Sequence, residues 1–169
     1  MNYKTIKWGK IEELNVIIEI PKGSSNKYEY DKENDLFKLD RTMHSAVFYP
    51  FDYGFIPGTE AEDGDALDAI VLVEKPTFPG CLVKARPVGL LEMEDENGKD
   101  YKIITVPIEK IEPRKAEIKT IENLSKHEKE EIEEFMKHYK DLEPRKWVKI
   151  TGFKSKEEAI KIIEKSIKE

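Results

Sequence analysis

Cysteine is almost absent from this sequence, in which Cys81 is the single example among 169 residues. One thiol excludes an internal disulfide, which is typical of proteins that stay in a reducing cytosol. No apolar run approaches the roughly 18 residues of a membrane-spanning helix. Residues 1–8 also lack the apolar centre of a secretion signal. These absences predict a cytoplasmic protein with no membrane partner.

Positive charge is also scarce, because 35 Asp and Glu outnumber 29 Lys and Arg and leave a net charge of −6. General nucleic-acid binding needs a basic face that neutralises phosphates, so this balance argues against it. A small phosphorylated substrate is not excluded, since bound divalent cations reverse the local charge. The sequence lacks a glycine-rich phosphate loop and a nucleophile elbow, and its three histidines do not have metal-ligand spacing.

Short strands dominate the first two-thirds of the sequence, and two helices follow. The length is that of one ordinary domain, spanning 1–169. Strands are predicted from β-branched or continuous apolar runs at 14–20, 36–39, 46–49, 69–73, 82–93, 101–106 and 147–150. Capping boxes at 125–128 and 155–158 open helices, and Asn97-Gly98 predicts a hairpin. The pattern predicts an α+β fold, mainly β, with a small barrel as the sheet arrangement.

The segment richest in chemistry is the acidic run Asp63-Gly64-Asp65-Ala66-Leu67-Asp68, which directly precedes the most hydrophobic predicted strand. Crowded carboxylates repel one another and favour a compensating cation, and Mg²⁺ prefers such oxygen ligands. Gly64 lets the backbone bend so that neighbouring carboxylates converge. A solvated turn explains the same run by turn chemistry alone. A calcium loop does not, because Leu67 and Asp68 occupy positions that an EF-hand gives to a ligand and to glycine.

A second acidic pair, Asp95 and Asp100, surrounds the predicted hairpin, with Lys102 two residues further on. A polar hairpin tip explains this pair equally well when it is taken alone. If both acidic sets face one cavity, they can bind several divalent ions.

Cations that suit phosphate groups also occur in the first third of the sequence. Lys27 and Glu29 alternate with Tyr28, so they share one face of a strand. Arg41 is one of four arginines in a chain with 25 lysines, which favours a bidentate role for it. A surface ion pair explains Arg41 about equally well from composition.

Two tyrosines and two lysines are ambiguous from the sequence. Tyr53 lies in an aromatic, turn-rich stretch, and Tyr139 lies on the apolar face of a predicted helix, so core packing explains both. Lys140 follows Tyr139 at the helix end, where a phenol and an ammonium can point together into a site. Lys140 and Lys146, taken alone, are ordinary surface lysines.

Together these motifs resemble the family I soluble inorganic pyrophosphatases, in their bacterial and archaeal form. The acidic signature of that family is matched by Asp63-Gly64-Asp65-Ala66-Leu67-Asp68-Ala69, and the resemblance runs from Ile18 to Gly152. The other matching segments, in order, are Ile18-Glu19-Ile20-Pro21, Lys27-Tyr28-Glu29, Asp40-Arg41, Phe48-Tyr49-Pro50, Tyr53-Gly54, Arg86-Pro87-Val88-Gly89, Asp95, Asp100-Tyr101-Lys102, His138-Tyr139-Lys140 and Lys146-Trp147-Val148. One match is weak, but so many in unbroken order are highly specific.

The resemblance implies a five-stranded, OB-like β-barrel with helices packed on it, and often a homo-hexamer. It implies hydrolysis of inorganic pyrophosphate to two orthophosphates by direct attack of a metal-activated water. The implied cofactor is Mg²⁺, several ions per active site, with other divalent ions possible. The implied metal ligands are Asp63, Asp68, Asp95, Asp100 and Glu29; Asp68 bridges two ions, and Glu29 acts through water.

The resemblance also implies roles for the remaining site residues. Asp65 corresponds to the general base, and it forms the catalytic set with Asp68 and Tyr53. The residues that hold the substrate are implied to be Lys27, Arg41, Tyr53, Lys102, Tyr139 and Lys140. Glu19 corresponds to a carboxylate behind the ligands, and Lys146 to a cation at the edge of the site.

Three positions depart from the family pattern. Ala66 replaces a common proline, Asp52 a common asparagine and Phe55 a common tyrosine, so Asp52 adds negative charge near the site. None removes a catalytic group, and activity is expected to survive.

Two other functions stay open: an OB-type module for single-stranded nucleic acid, which needs a basic aromatic groove, and a phosphatase for nucleotides or longer polyphosphates. The sequence shows no adenine-binding feature.

Overall fold

The structure is a computed structural model that describes residues 2–168. In that range strands fill the first two-thirds of the chain and the helices follow, as the sequence predicts. The strands are β1 (Gly9–Lys10), β2 (Glu13–Ile20), β3 (Asn26–Asp31), β4 (Leu36–Thr42), β5 (Asp52–Ile56), β6 (Leu67–Val71), β7 (Leu82–Asp95), β8 (Gly98–Pro107) and β9 (Val148–Lys154). The α-helices are α1 (Lys126–His138) and α2 (Lys156–Ser166).

Five strands close on themselves. Antiparallel pairing joins β2 to β5 and β5 to β6, parallel pairing joins β6 to β8, and antiparallel pairing joins β8 to β7. The ring is completed where β7 pairs back to β2, with Val16 opposite Val83. Closure removes the exposed edges that a sheet of this size would otherwise present. The predicted five-stranded barrel with helices packed on it is therefore confirmed, with β1 and β9 as extensions.

Two apolar cores hold the helices on the barrel. The first contains Phe51 and Ile70 and receives the buried face of α1, which includes Ile132 and Met136. The second contains Leu14, Val16, Ile18, Leu67, Ala159 and Ile163, the last two from α2. The β-branched run in β2 suits a strand that is covered by apolar neighbours, because branched side chains pack well on a pleated surface.

The hairpin of β3 and β4 is a separate two-stranded sheet. Its register places Lys27 opposite Arg41, so two predicted phosphate-binding residues are cross-strand neighbours. The strand predicted at 46–49 is wrong, since these residues form an irregular connection from β4 to β5. The backbone of Tyr49 explains the difference, because its N–H and C=O pair with Ser24 and Gly23 in a loop instead of a ladder.

Both helix starts follow the predicted capping chemistry. Ser125 Oγ accepts from the Glu128 N–H at 3.1 Å, and the Glu128 carboxylate accepts from the Ser125 N–H at 2.8 Å. Ser155 and Glu158 form the same reciprocal box at α2. The predicted hairpin is also present, with Asp95 paired to Gly98. No helix within residues 2–168 is long and apolar enough to cross a membrane.

Candidate active site

One cavity of about 270 Å³ collects every site residue that the sequence predicts. It lies between the β3–β4 hairpin, the acidic run before β6, the β7–β8 turn and the end of α1. The predicted residues that line it are Glu19, Lys27, Glu29, Arg41, Tyr53, Asp63, Asp65, Asp68, Asp95, Asp100, Lys102, Tyr139, Lys140 and Lys146. The structure thus brings together residues from six separate parts of the chain. Their individual roles remain predictions.

The acidic run is both a turn and a wall of the cavity. The Asp65 N–H donates to Asp63 Oδ1 at 2.9 Å, as in an Asx turn. Gly64 has φ +87°, a left-handed conformation that glycine adopts without steric cost. Lys32 Nζ lies 3.0 Å from Asp65 Oδ1, and both side chains are largely exposed. The turn explanation and the functional one are therefore compatible, because the turn presents its carboxylates to the cavity.

Lys102 on β8 occupies the acidic centre of the cavity. Its ammonium lies 2.8 Å from Asp100 Oδ2 and contacts Asp68 Oδ2, while its side chain is 4% exposed. Burial lowers the pKa of Lys102, but Asp68, Tyr53 and Asp100 more than offset this effect, and the net pKa lies well above its ordinary value. Burial also raises the pKa of Asp100, against the opposing effect of Lys102. The lysine is thus a fixed positive charge between two carboxylates.

Two buried phenols form the apolar side of the cavity. Lys102 Nζ lies 5.4 Å from the centroid of the Tyr53 ring, and Lys140 Nζ lies 5.5 Å from that of Tyr139. Burial raises the pKa of Tyr53 well above its ordinary value, and it also raises that of Tyr139. Both phenols therefore stay protonated near neutral pH, and they can donate hydrogen bonds to an anion.

The far side of the cavity pairs lysines with acids from the β7–β8 turn. Lys140 Nζ lies 3.1 Å from Asp95 Oδ2, and both side chains are almost fully buried. Lys146 Nζ lies 2.9 Å from Glu96 Oε1. Burial raises the pKa of Glu96, but the hydrogen bond from Lys146 and the charge of Lys140 lower it further, to about 2. Both lysines are therefore held in place by carboxylates of the β7–β8 turn.

The hairpin side carries the remaining cations. Asp40 Oδ2 lies 3.3 Å from Lys27 Nζ and 3.6 Å from Arg41 Nε. Behind the hairpin, Glu19 Oε1 accepts from the Tyr30 N–H at 2.8 Å. Burial raises the pKa of Glu19 to about 8, because desolvation disfavours its charged form.

Three charged residues that line or adjoin the cavity were missed by sequence reasoning: Lys32, Glu96 and Glu143. Lys32 and Glu96 line the cavity, and Glu143 pairs with Arg41 at 2.7 Å. No local pattern marks them, since Lys and Glu are the commonest charged residues here. Glu96 lies in the predicted hairpin turn, which is the one signal that could have suggested it.

The three departures from the family pattern lie in different places. Ala66 and Phe55 line the cavity, and the Phe55 ring stacks on Tyr30 at 5.6 Å between centroids. Asp52 is fully buried but is not a lining residue. Its carboxylate accepts from the Lys22 N–H at 2.7 Å and from the Thr77 hydroxyl at 2.6 Å. The added charge therefore serves to tie two loops together.

The donor set fits a hard divalent cation. Carboxylate oxygens of Glu29, Asp63, Asp68, Asp95 and Asp100 face one cavity, and Mg²⁺ takes oxygen ligands. Within residues 2–168, no three such side chains are already gathered at ligand distance. Lys102 stands where a cation is favoured electrostatically, between Asp68 and Asp100. The residues therefore fit Mg²⁺ in an arrangement in which Asp68 and Asp100 contact both Lys102 and the metal ion.

The closed barrel and its cavity of paired carboxylates and cations suit the class of enzymes that act on phosphoric anhydrides with the help of metal ions. The family model described as inorganic pyrophosphatase matches residues 16–169. This chain belongs to the inorganic pyrophosphatase family.

Known proteins agree over nearly the whole length. The inorganic pyrophosphatase of Aquifex pyrophilus is 46% identical over 169 residues, covering 99% of this chain and 96% of that protein. The enzyme of Helicobacter pylori strain 26695 is 51% identical over 157 residues, or 93% and 91% of the two chains. A solved structure of a Helicobacter pylori inorganic pyrophosphatase has a TM-score of 0.95 at 49% identity, covering 97% and 96%. That from Thermus thermophilus has a TM-score of 0.95 at 45% identity, covering 99% and 97%.

Proposed function

We propose that this chain hydrolyses inorganic pyrophosphate to two orthophosphates, with Mg²⁺ as its cofactor. The single observation that carries the proposal is the alternation of carboxylates and cations around one cavity of about 270 Å³. The cations suit a small anion with charge at both ends, and the carboxylates suit the ions that accompany it.

The substrate is held by cations from three parts of the fold. Lys27 and Arg41 approach from the hairpin, Lys102 from β8, and Lys140 from the end of α1. Tyr53 and Tyr139 add protonated hydroxyls, since burial raises the pKa of both phenols. Donors arranged around an anion stabilise charge that develops on transferring and leaving phosphoryl oxygens.

Hydrolysis is proposed to proceed by direct attack of water on phosphorus. The residues that line the cavity include no Ser, Thr, Cys or His within the described part of the chain, so a covalent intermediate on such a side chain has no support. Mg²⁺ bound by Asp63, Asp68, Asp95, Asp100 and Glu29 would supply a water of lowered pKa and neutralise phosphate charge. Asp65 accepts the proton from the attacking water; its side chain lines the cavity and is 77% exposed.

Assembly and location follow from the family resemblance. We propose a cytoplasmic homo-hexamer in which residues 1–169 form a single domain. Supporting this, Phe48 is 57% exposed and lines a broad groove between α1 and β9, and exposed aromatic side chains are typical of interfaces. Light scattering coupled to gel filtration measures the assembly, and a monomer would contradict it.

The test is phosphate release from pyrophosphate and from ATP, each with Mg²⁺ and with EDTA. We expect turnover of pyrophosphate that EDTA abolishes and added Mg²⁺ restores. Turnover in EDTA would contradict the proposed cofactor. Equal rates with ATP would instead favour a general phosphatase, and salt-sensitive binding of single strands without hydrolysis would favour a nucleic-acid module.

A further inference from the structure

Glu143 is a buried carboxylate beside the cavity, in the turn that follows α1. The residue is 6% exposed. Its N–H donates to the Lys140 carbonyl at 2.9 Å, and its carbonyl accepts from the Lys146 N–H at 3.3 Å. Glu143 is therefore fixed by its backbone between two lysines that line the cavity.

The charged partner of Glu143 is Arg41 on β4. Glu143 Oε1 lies 2.7 Å from Arg41 Nη1, a charge-assisted contact between the hairpin and the turn after α1. The Arg41 side chain keeps 27% exposure and lines the cavity, whereas the Glu143 side chain keeps 4%. The acid is thus the buried member of the pair, and the guanidinium is the accessible one.

This ion pair is poorly explained by stability alone. Within residues 2–168, both Glu143 Oε2 and Arg41 Nε are buried without a hydrogen-bond partner. Such atoms cost free energy, and each one in a native structure needs an explanation. Apolar replacements for a buried ion pair are often neutral or stabilising. The position that Glu143 imposes on Arg41 supplies the explanation.

Glu143 contacts Nη1 of the guanidinium group. Nε is buried, so Nη2 is the nitrogen that remains to donate to an anion in the cavity. Aligned in this way, Nη2 can donate a charge-assisted hydrogen bond to a phosphate oxygen. Asp40 is the competitor, because its Oδ2 lies 3.6 Å from Arg41 Nε. A guanidinium released from Glu143 can turn toward Asp40 and lose this alignment.

We propose that Glu143 is a positioning residue for Arg41, which it holds so that Nη2 of the guanidinium group faces a phosphate of bound pyrophosphate. The inference rests on the proposed function, because that function assigns Arg41 to the substrate. Glu143 itself does not touch the substrate. Its effect is therefore exerted on binding, and it depends on Arg41 being present.

The experiment compares Glu143→Gln with wild type in pyrophosphate hydrolysis at saturating Mg²⁺. We expect KM to rise roughly 10- to 100-fold, the range of one charge-assisted hydrogen bond. We expect kcat to change less than about threefold, because the lost contact serves ground and transition states alike. Titration calorimetry with inorganic phosphate should show a parallel weakening. Glu164→Gln, on the exposed face of α2, is the matched control and should leave both quantities unchanged.

A double mutant separates positioning from a general structural role. In an Arg41→Gln background, Glu143→Gln should add no further rise in KM. An equal rise in that background, or a KM within about twofold of wild type in folded Glu143→Gln, overturns the inference. If Glu143→Gln does not fold, Glu143→Asp is measured instead. We expect a raised KM at constant kcat, and a fall in kcat alone would contradict the inference.

Failure of the proposed function would be seen separately, as wild type that does not hydrolyse pyrophosphate. The phosphate titration then still tests Glu143. Weaker phosphate binding in Glu143→Gln, but not in the Arg41→Gln background, supports the inference. The inference is overturned if Glu143→Gln leaves phosphate binding unchanged both in the wild-type background and in the Arg41→Gln background.

Discussion

The Lys102 ammonium lies 2.8 Å from a carboxylate oxygen of Asp100, and the same ammonium contacts Asp68. The Lys102 side chain is almost fully shielded from water, which strengthens both contacts. A fixed cation at this point offsets the repulsion between the two carboxylates. The charge states of Lys102 and of two proposed metal ligands, Asp68 and Asp100, therefore depend on one another.

Asp68→Asn should abolish most activity without unfolding the protein. The substitution keeps the size of the side chain but removes a carboxylate from the centre of the cavity. We expect pyrophosphate hydrolysis at saturating Mg²⁺ to fall about 100-fold or more, the scale of losing one central electrostatic group. Phosphate release measures the rate, and circular dichroism checks the fold. Asp141→Asn, on the exposed turn after α1, is the control, and full activity in Asp68→Asn would refute the assignment.

Lys102→Met should make stability depend more strongly on Mg²⁺. Removing the buried cation leaves Asp68 and Asp100 to repel each other, so we expect a loss of about 1–3 kcal/mol in EDTA. Added Mg²⁺ should restore part of this loss, because it binds the folded form. Thermal unfolding with and without Mg²⁺ measures both effects. Lys99→Met, an exposed lysine on the same strand, should change neither, and an equal response of the two variants would contradict the prediction.

Glu19 should make the metal-free protein less stable as pH rises. Burial raises its pKa from an ordinary value of 4.5 to about 8, so the folded state holds a proton that the unfolded state has lost. Stability therefore falls with rising pH between these two values. Glu19→Gln keeps an acceptor for the Tyr30 N–H and removes the titration.

The measurement is urea unfolding in EDTA at pH 5 and pH 8. We expect wild type to lose free energy of unfolding relative to Glu19→Gln between the two pH values. Glu164→Gln should follow the wild-type curve. A constant difference between wild type and Glu19→Gln would show that Glu19 has an ordinary pKa.

Gly54 is required by a close approach of two strands. A Cβ at this position would lie 1.9 Å from the Ile17 carbonyl oxygen and 2.8 Å from its carbon. Because backbone cannot give way without breaking the β2–β5 pairing, Gly54→Ala should cost about 3 kcal/mol or more. Gly64→Ala has open space but φ +87°, so it should cost about 1 kcal/mol. Denaturant unfolding compares them, and a smaller loss for Gly54→Ala would contradict the steric explanation.

Much of the local structure was predictable because it depends on neighbours in sequence. The capping boxes at Ser125 and Ser155 and the hairpin at Asn97-Gly98 rest on contacts within a few residues. The strand wrongly predicted at 46–49 shows the limit of such patterns. Its apolar residues suit a strand, but Tyr49 pairs with a loop from a distant part of the chain.

The candidate site was likewise only partly predictable from the sequence. The acidic run, the second acidic pair and the cations predicted to bind phosphate follow from motifs and resemblance, and all line one cavity. The charge partners were not predicted. Glu96, Glu143 and Lys32 are ordinary members of the commonest residue types, and only folding places them beside Lys146, Arg41 and Asp65.

The sequence by itself determined both helices and most of the strand segments, the acidic chemistry and the family. These depend on local spacing, turn residues and residue order, all of which are visible in the sequence. The tertiary structure alone decided that β7 closes the barrel on β2. It also decided that Lys102 separates Asp68 from Asp100 and that Lys140 meets Asp95 across 45 residues. The physical reason is that burial and ion pairing act through space, so the charge and position of a side chain depend on which distant groups are packed against it.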